Sequence, residues 1–182
     1  MSNNLQSIID RYNAGEKLEF IFFWGPGEAE QERNCFNQWS KHCLLKDGFL
    51  YTSAEQAMMA EKALLFKDIG TLAKILVARD PRTVKALGRE VKGYDDDIWK
   101  AHRVDIVSEI SYQKFKLNAE ARDFLLSTKG KILVEASPLD GIWGIKMAES
   151  NPNVLNPNKW LGLNCLGESL MNARDRLELE YV

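Results

Sequence analysis

Cysteine is scarce in this chain, and its spacing is uninformative for pairing. The three cysteines, Cys35, Cys43 and Cys165, include no CxxC spacing. An odd number of cysteines without that spacing argues against a disulfide framework, so we expect free thiols in a reducing compartment. His42 lies beside Cys43, but no second Cys/His pair accompanies them, as a zinc site would require. We expect neither a metal nor another cofactor.

An excess of one charge and long hydrophobic runs are also absent. The net charge is −2, so no bulk cationic field attracts nucleic acid, although a local groove can still bind phosphate. No apolar run approaches the length of a membrane span, and the N-terminus lacks a signal pattern. We therefore expect a cytoplasmic monomer without a membrane partner. Residues 1–182, 45% of them hydrophobic, fit a single domain.

Hydrophobic spacing, cap residues and turn residues predict a series of helices and short strands. Helices are predicted over about residues 5–13, 68–78, 81–89, 97–117, 119–128 and 166–180. On the second of these, Ile69 and Ile75 belong to one apolar face. Strands are predicted over residues 18–24, 49–51 and 131–136, with a turn at 46–48. Residues 28–34 read as a solvated charged loop, and residues 145–158 as a mobile loop and candidate lid.

Residues 50–66 contain the clearest helix start, because the N-cap candidates Thr52 and Ser53 precede a run of strong helix formers. Glu55 and Lys62 are seven residues apart and project from the same face of that helix. A carboxylate and an amine among apolar groups are candidates to act on a substrate. Two alternatives stay open. Thr52 and Glu55 also fit a capping box, and Lys62 can be a solvated lysine that pairs with a nearby acid.

Two further groups combine an aromatic side chain with a polar one. Trp99 and Arg103, at positions i and i+4, can together hold a base and a phosphate, or the Trp can simply pack on the Arg stem. Asp140 and Trp143 lie in a glycine-containing loop just past a predicted strand, where functional groups often occur. The alternative there is a turn in which Asp140 bonds local backbone and Trp143 plugs the core.

Four more side chains are candidates to contact a ligand. Phe23 and Trp24, at the exit of the first strand, can stack on a flat base, although core packing is a common fate for such residues. Asn37, between two aromatic residues, can orient a hydroxyl group. Asn164 precedes the last helix, whose N-terminal amides suit an anion.

In chain order these stretches resemble the NADAR family of riboflavin-intermediate N-glycosidase-like proteins. The resemblance covers about residues 18–178 and leaves residues 1–17 as an N-terminal helical extension. This chain differs from many relatives at 56–57, where it has Gln-Ala for His and an aromatic, and at 145–146. The matching pieces are Phe22-Phe23-Trp24-Gly25, Phe36-Asn37-Gln38-Trp39, Tyr51 to Glu55 with Lys62, Trp99 with Arg103, Lys114-Phe115, residues 133–137, Asp140-Gly141-Ile142-Trp143-Gly144, and residues 162–167 with Leu170-Met171 and Arg174.

The resemblance implies a compact, mainly helical α+β domain that cleaves a bond between a ribose C1 and a nitrogen. Family members split phosphoribosylamino-pyrimidine intermediates of riboflavin synthesis or release ADP-ribose from modified guanine in DNA. The Phe22 to Gly25 opening is more similar to the second group. The expected partner is therefore an ADP-ribose or ribose-phosphate nucleoside substrate, including ADP-ribosylated DNA.

The candidate residues suit that chemistry. Cleavage builds positive charge at C1, which a nearby carboxylate stabilises, or the carboxylate activates water; Glu55 is the first choice and Asp140 the second. The resemblance suggests that Lys62, if burial lowers its pKa, forms a Schiff base with the opened ribose; if charged, it instead holds Glu55 in place. We expect both to share a cavity with the Trp143 indole. The expected substrate-binding residues are Phe23, Trp24, Asn37, Trp99, Arg103, Trp143, Gly144 and Asn164.

Two other classes of protein compete with the enzyme. A catalytically silent ADP-ribose-binding sensor would use the same pocket, but it has no need for both Glu55 and Lys62. A purely structural interaction domain would leave the aromatic and acidic loop at 140–144 unexplained.

Overall fold

The computed structural model describes residues 2–25 and 32–181. Within these ranges it contains seven α-helices and four strands. Of the predicted charged loop, residues 28–31 lie outside the described residues, and Arg33–Phe36 form a short 3-10 helix. In chain order the elements are α1 (Leu5–Asn13), β1 (Phe20–Phe23), β2 (Leu44–Lys46), β3 (Phe49–Tyr51), α2 (Ala54–Leu65), α3 (Ile69–Val77), α4 (Pro81–Arg89), α5 (Asp96–Leu117), α6 (Ala119–Ser127), β4 (Ile132–Glu135) and α7 (Cys165–Tyr181).

The elements fall into two compact units. The helical unit, Gln38–Glu120, contains the β2–β3 hairpin and helices α2 to α5. The sheet unit combines Met1–Asn37 with Ala121–Val182 and contains α1, β1, most of α6, β4 and α7. The mainly helical α+β fold class that the sequence predicted is confirmed.

Two short strand pairs account for the β-structure of the described residues. In the sheet unit β1 and β4 pair in parallel, with Phe23 opposite Glu135. In the helical unit β2 and β3 pair antiparallel around Asp47 and Gly48. Both turn residues have positive φ, 50° and 79°, which matches the tight hairpin turn whose backbone follows strand twist. The sequence predicted the turn and β3 but not β2.

The predicted helices are confirmed, and their caps explain their starting points. Ser53, Asp80 and Asp95 are the N-caps of α2, α4 and α5, and each side chain accepts hydrogen bonds from amides of the first turn. The predicted apolar face of α3 is partly wrong. Ile75 is fully buried, but Ile69, the first residue of the helix, is 63% exposed.

Residues 145–158 are anchored and do not form the free lid that their composition suggested. Ile145, Met147 and Val154 are buried. The Ile145 amide donates to Glu135 O at 2.9 Å, which places it beside β4. A segment fixed by buried apolar side chains and backbone hydrogen bonds is costly to open.

None of the helices in residues 2–25 and 32–181 has the length and apolar character needed to cross a membrane.

Candidate active site

Glu55 is a buried carboxylate at the N-terminus of α2. It is 3% exposed, and its amide donates to Gln38 O at 3.0 Å. The capping role that the sequence left open for Glu55 belongs to its neighbour. Gln56 N donates to the Ser53 hydroxyl at 3.2 Å, and the Gln56 side-chain oxygen accepts from Thr52 N at 2.9 Å. Glu55 is thus not used as the capping-box acid.

Gln56 also fixes the backbone that carries Glu55. Its side chain is fully buried, and its amide nitrogen lies 3.0, 3.2 and 2.9 Å from the carbonyl oxygens of Ile75, Leu76 and Ala78. These carbonyls end α3, where the helix leaves its last acceptors unsatisfied. One glutamine therefore ties the start of α2 to the end of α3, directly next to the candidate acid.

The amine of Lys62 points into an aromatic and carbonyl environment. It donates to Gly88 O at 2.8 Å and lies 4.2 Å from the Tyr94 ring centroid and 5.8 Å from that of Trp99. Burial lowers the pKa of Lys62 below its usual 10.5. The helix rise separates the Cα atoms of residues 55 and 62 by about 10 Å. The carbonyl and the two rings are partners of the charged form, whereas burial favours the neutral amine, so the covalent role of Lys62 stays a prediction.

Gly88 makes the approach of α4 to α2 possible. A Cβ atom at this position would lie 1.8 Å from the Met59 sulfur and 2.7 Å from its Cγ. The missing side chain lets the Gly88 carbonyl reach the amine of Lys62. A helical glycine that carries no signal in the sequence is therefore a condition for the lysine geometry.

Trp99 and Arg103 follow on α5, and both are buried, at 7% and 6% exposure. The Nε atom of Arg103 is buried with no hydrogen-bond partner in the part of the chain that the structure describes. A buried guanidinium group costs free energy unless an anion or acceptor satisfies it. Close to Lys62, Tyr94 donates from its hydroxyl to Asp96 at 2.8 Å. The helical unit thus offers an acid, an amine, aromatic faces and a guanidinium group whose Nε atom has no partner among the described residues.

In the sheet unit the two residues at the exit of β1 have opposite environments. Phe23 is 1% exposed and packs edge-on against Phe36, with ring centroids 5.3 Å apart. This burial assigns Phe23 to the core, the alternative that the sequence left open. Trp24 is 48% exposed and is the aromatic residue available for stacking. Asn37 donates from its side-chain amide to Gly25 O at 3.2 Å; its role toward a ligand stays a prediction.

The loop after β4 is a tight turn built around Asp140. Its Oδ1 atom accepts from the amides of Ile142 and Trp143, both at 2.8 Å. This is the local backbone bonding that the sequence allowed as an alternative to catalysis. Trp143 is half-buried. A Cβ atom at Gly144 would lie 2.8 Å from Glu135 O, so glycine is needed for the loop to close on β4.

Asn164 has a structural role at the free edge of β4. It has a positive φ of 56°, and its side chain accepts from Glu135 N at 3.0 Å and donates to Leu133 O at 2.9 Å. The amide group therefore replaces a neighbouring strand. Gly167 lies equally close, since a Cβ atom there would be 2.1 Å from Leu133 O. Ligand contacts by Asp140, Trp143, Gly144 and Asn164 stay predictions.

An open cavity of about 430 Å³ lies where β1 and β4 end. Its lining residues are Trp24, Ala136, Ala148, Glu149 and Ser150. Trp24 follows β1 and Ala136 follows β4, so the cavity is at the carboxyl ends of the parallel pair, a usual position for ligand sites. The sequence does not indicate Glu149 as a candidate, because this residue lies in the segment that is predicted to be a mobile loop.

Lys114 is a buried lysine whose environment the sequence pattern does not indicate. It is fully buried on α5, and its amine lies 4.9 Å from the Phe115 ring centroid. Burial, with a contribution from the Lys114 charge, lowers the pKa of His42. Across the described residues, no group of three or more His, Cys, Asp or Glu side chains is placed to hold a metal ion.

Comparison with known proteins identifies the family. The NADAR domain model matches residues 22–178. The chain is 40% identical to an N-glycosidase of Acanthamoeba polyphaga mimivirus over 165 residues, covering 88% of this chain and 97% of that protein. It is 31% identical to an N-glycosidase of Nostoc punctiforme, covering 86% and 92% of the two chains.

More distant relatives extend the same grouping. The chloroplastic riboflavin biosynthesis protein PYRR of Zea mays is 31% identical over 57% of this chain and 16% of its own length. The fold is similar to the NMR structure of the E. coli protein YbiA, with a TM-score of 0.69, 23% identity and coverage of 89% and 86%. The named N-glycosidase relatives support an N-glycosidase-type hydrolase. With a family model that spans most of its length, the chain belongs to the NADAR domain family.

Proposed function

We propose that the chain hydrolyses the bond between a ribose C1 and a base nitrogen, and that its substrate is ADP-ribosylated guanine in DNA. The observation that carries this proposal is Glu55, a buried carboxylate at a helix N-terminus whose capping duty Gln56 performs. An ionised carboxylate kept close to C1 stabilises the oxocarbenium-like charge that develops as the base departs. Relatives named N-glycosidases from a virus and a cyanobacterium support the reaction class.

Lys62 supplies a covalent route that fits its environment. In its neutral form, favoured by burial, the amine attacks C1 of the opened ribose. The ribose opens when its C1–O4′ bond breaks and the proton of the base nitrogen moves to O4′, which leaves C1 doubly bonded to that nitrogen. After the attack of the amine, the bond from C1 to the base nitrogen breaks, the base leaves as its amine with both protons of the Lys62 amine, and a Lys62–C1 imine remains. Water then hydrolyses the imine, which regenerates the amine and leaves the sugar with oxygen on C1. The net change is one water consumed and one C–N bond cleaved.

Arg103 suits the anionic part of the substrate. Its buried Nε atom has no partner among the described residues, and a phosphate oxygen would supply the missing acceptor with a charge-assisted bond. Trp99, adjacent on α5, offers an indole face. This pairing of cation and ring supports a phosphorylated ribose, which ADP-ribose and phosphoribosyl compounds share.

A second candidate substrate is a phosphoribosylamino-pyrimidine intermediate of riboflavin synthesis. Relatives named riboflavin biosynthesis proteins favour it. The same ribose C1–N bond would be broken by the same two groups on α2. A non-catalytic ADP-ribose sensor is the candidate of a different class, and the presence of both Glu55 and Lys62 argues against it.

A parallel activity assay separates these functions. The protein is incubated with an oligonucleotide carrying ADP-ribosyl guanine and, separately, with the phosphoribosylamino-pyrimidine, and released sugar and restored base are measured. We expect ADP-ribose and unmodified guanine from the first substrate at the higher kcat/KM. Higher kcat/KM on the pyrimidine would replace the proposed substrate with the second. ADP-ribose binding without release from either would establish the sensor.

A further inference from the structure

The cavity at the carboxyl ends of β1 and β4 combines a flat face with a free acid. Trp24 is 48% exposed although the residue before it, Phe23, is buried. Glu149 and Ser150 are exposed beside it, and all three line the same cavity of about 430 Å³. This volume is within the range of small-ligand sites, about 300–1,000 Å³. An indole of this exposure at a cavity wall is suited to stack on an aromatic ring.

Glu149 determines which ring suits the cavity. Its carboxylate has no hydrogen bond or ion pair with the residues that the structure describes, whereas Glu16, Glu61 and Glu178 each pair with a basic side chain. An ionised carboxylate only accepts hydrogen bonds, and it accepts two parallel ones best. A ring edge with two adjacent N–H donors is its natural complement.

We propose that this cavity binds a nucleobase and that Glu149 recognises a 2-amino-oxo ring edge while Trp24 stacks on the ring. This inference rests on the proposed function for the kind of molecule that enters. Guanine presents a ring N–H next to an exocyclic amino group on one edge. An aminopyrimidinone of riboflavin synthesis presents the same pair. Adenine offers an acceptor where guanine has the ring N–H, so Glu149 disfavours it.

The test measures binding apart from turnover. Affinities of guanosine and inosine, which differ only in the 2-amino group, are determined by calorimetry for the wild type and for Glu149→Gln. We expect the wild type to prefer guanosine by about tenfold, the value of one charge-assisted hydrogen bond. In Glu149→Gln the preference should fall to near unity, because the carboxylate that accepts from both donors is gone. Glu120→Gln, at an exposed position on α6, is the matched control.

Trp24→Ala should weaken both nucleosides by roughly fivefold or more, the effect of losing one stacked base. Trp39→Ala, which removes a 44% exposed tryptophan elsewhere, should leave both affinities unchanged. Equal binding of guanosine and inosine by the wild type would overturn the proposal, and so would an unchanged preference in Glu149→Gln.

Competition identifies the source of the ring. An ADP-ribosylated oligonucleotide and the free aminopyrimidinone nucleotide are each tested for displacement of guanosine, and displacement by either supports the cavity; displacement by neither overturns it. If the protein discriminates guanosine from inosine yet cleaves no glycosidic bond, the base site stands and the proposed hydrolysis fails. If it cleaves the bond without discriminating the two nucleosides, the hydrolysis stands and the base site fails.

Discussion

The helical unit and the sheet unit position their candidate groups by different means. In the helical unit Glu55 and Lys62 stand on one helix, and their spacing follows from 3.6 residues per turn. In the sheet unit Asp140, Gly144 and Asn164 are set by close backbone approach and, for Asn164, by a positive φ of 56°. In the first arrangement the spacing of the two groups is local, although the contact of Lys62 with Gly88 O also needs the close approach of α4 to α2. In the second arrangement the position of every group depends on contacts between segments.

Catalysis should be most sensitive to the acid of the helical unit. Glu55→Gln should lower kcat by roughly 10²- to 10⁴-fold, because the neutral amide neither stabilises charge at C1 nor accepts a proton. Affinity for ADP-ribose should be retained. Glu61→Gln on the same helix is the control. It loses a bond to Lys46 of 2.8 Å, but Asp47 still pairs with that amine. An unimpaired kcat in Glu55→Gln would remove this residue from the mechanism.

Lys62→Met should lower kcat by roughly 10²-fold, since it removes the nucleophile but leaves Glu55. The wild-type rate should increase with pH, with a midpoint below 10.5, because burial lowers the pKa of Lys62 and the neutral amine is the reactive form. Lys74→Met on α3 is the control. A rate that is flat with pH through this window would exclude an amine nucleophile.

The lowered pKa of Lys62 also determines the direction in which the free energy of unfolding changes with pH. In the folded state the pKa of Lys62 is lowered, so between that value and 10.5 the unfolded chain binds more protons. The free energy of unfolding should therefore increase with pH across this interval, and the increase should be smaller in Lys62→Met. Urea unfolding at several pH values measures both slopes. Equal slopes would show that burial does not perturb this amine.

Two helical glycines test the contrast between the units directly. Gly167→Ala in α7 places a Cβ atom 2.1 Å from Leu133 O and should destabilise the protein by about 1–3 kcal/mol or more. Gly70→Ala in α3 meets nothing closer than 3.6 Å and should stabilise it by about 0.5–1 kcal/mol. Urea unfolding of both variants gives the signs. Similar changes in the free energy of unfolding for the two variants would contradict this difference between the two positions.

A substitution at Arg103 should weaken substrate binding without lowering stability. Its effect should be the smallest of the predicted effects. Arg103→Met should raise KM for an ADP-ribosylated substrate by about tenfold, the loss of one charge-assisted bond. The ligand-free protein should keep or slightly gain thermal stability, because a buried cation without a partner for Nε is removed. Arg82→Met, at an exposed position, is the control. A large loss of stability with unchanged KM would make Arg103 a structural residue.

The two units also differ in how far the sequence predicts them. Helix caps such as Asp80 and the seven-residue spacing of Glu55 and Lys62 are local signals; the structure confirms the Asp80 cap and places Glu55 and Lys62 on one helix. The sequence pattern allows a capping box of Thr52 and Glu55, whereas in the structure Ser53 caps the helix by accepting from Gln56 N and the Gln56 side chain accepts from Thr52 N. The shift matters, because it removes the structural alternative that the sequence leaves open for Glu55.

Other features depend on partners distant in sequence. The Gln56 amide reaches carbonyls 19 to 22 residues away, and Asn164 bonds β4 from 29 and 31 residues away. The residues next to Gln56 and Asn164 in the sequence do not indicate these distant partners. The sequence does not indicate a role for Glu149, because its segment is rich in asparagine and proline and is predicted to be a mobile loop. In the structure the buried side chains of Ile145, Met147 and Val154 hold this segment in place.

Borohydride reduction during turnover of ADP-ribosyl guanine, followed by peptide mapping, asks directly whether the reacting groups stand on α2. We expect one ribose-derived adduct on the peptide that contains Lys62, absent in Lys62→Met and still present in Lys74→Met. An adduct on Lys114 or another lysine, or release of guanine with no adduct, would contradict the covalent role of Lys62.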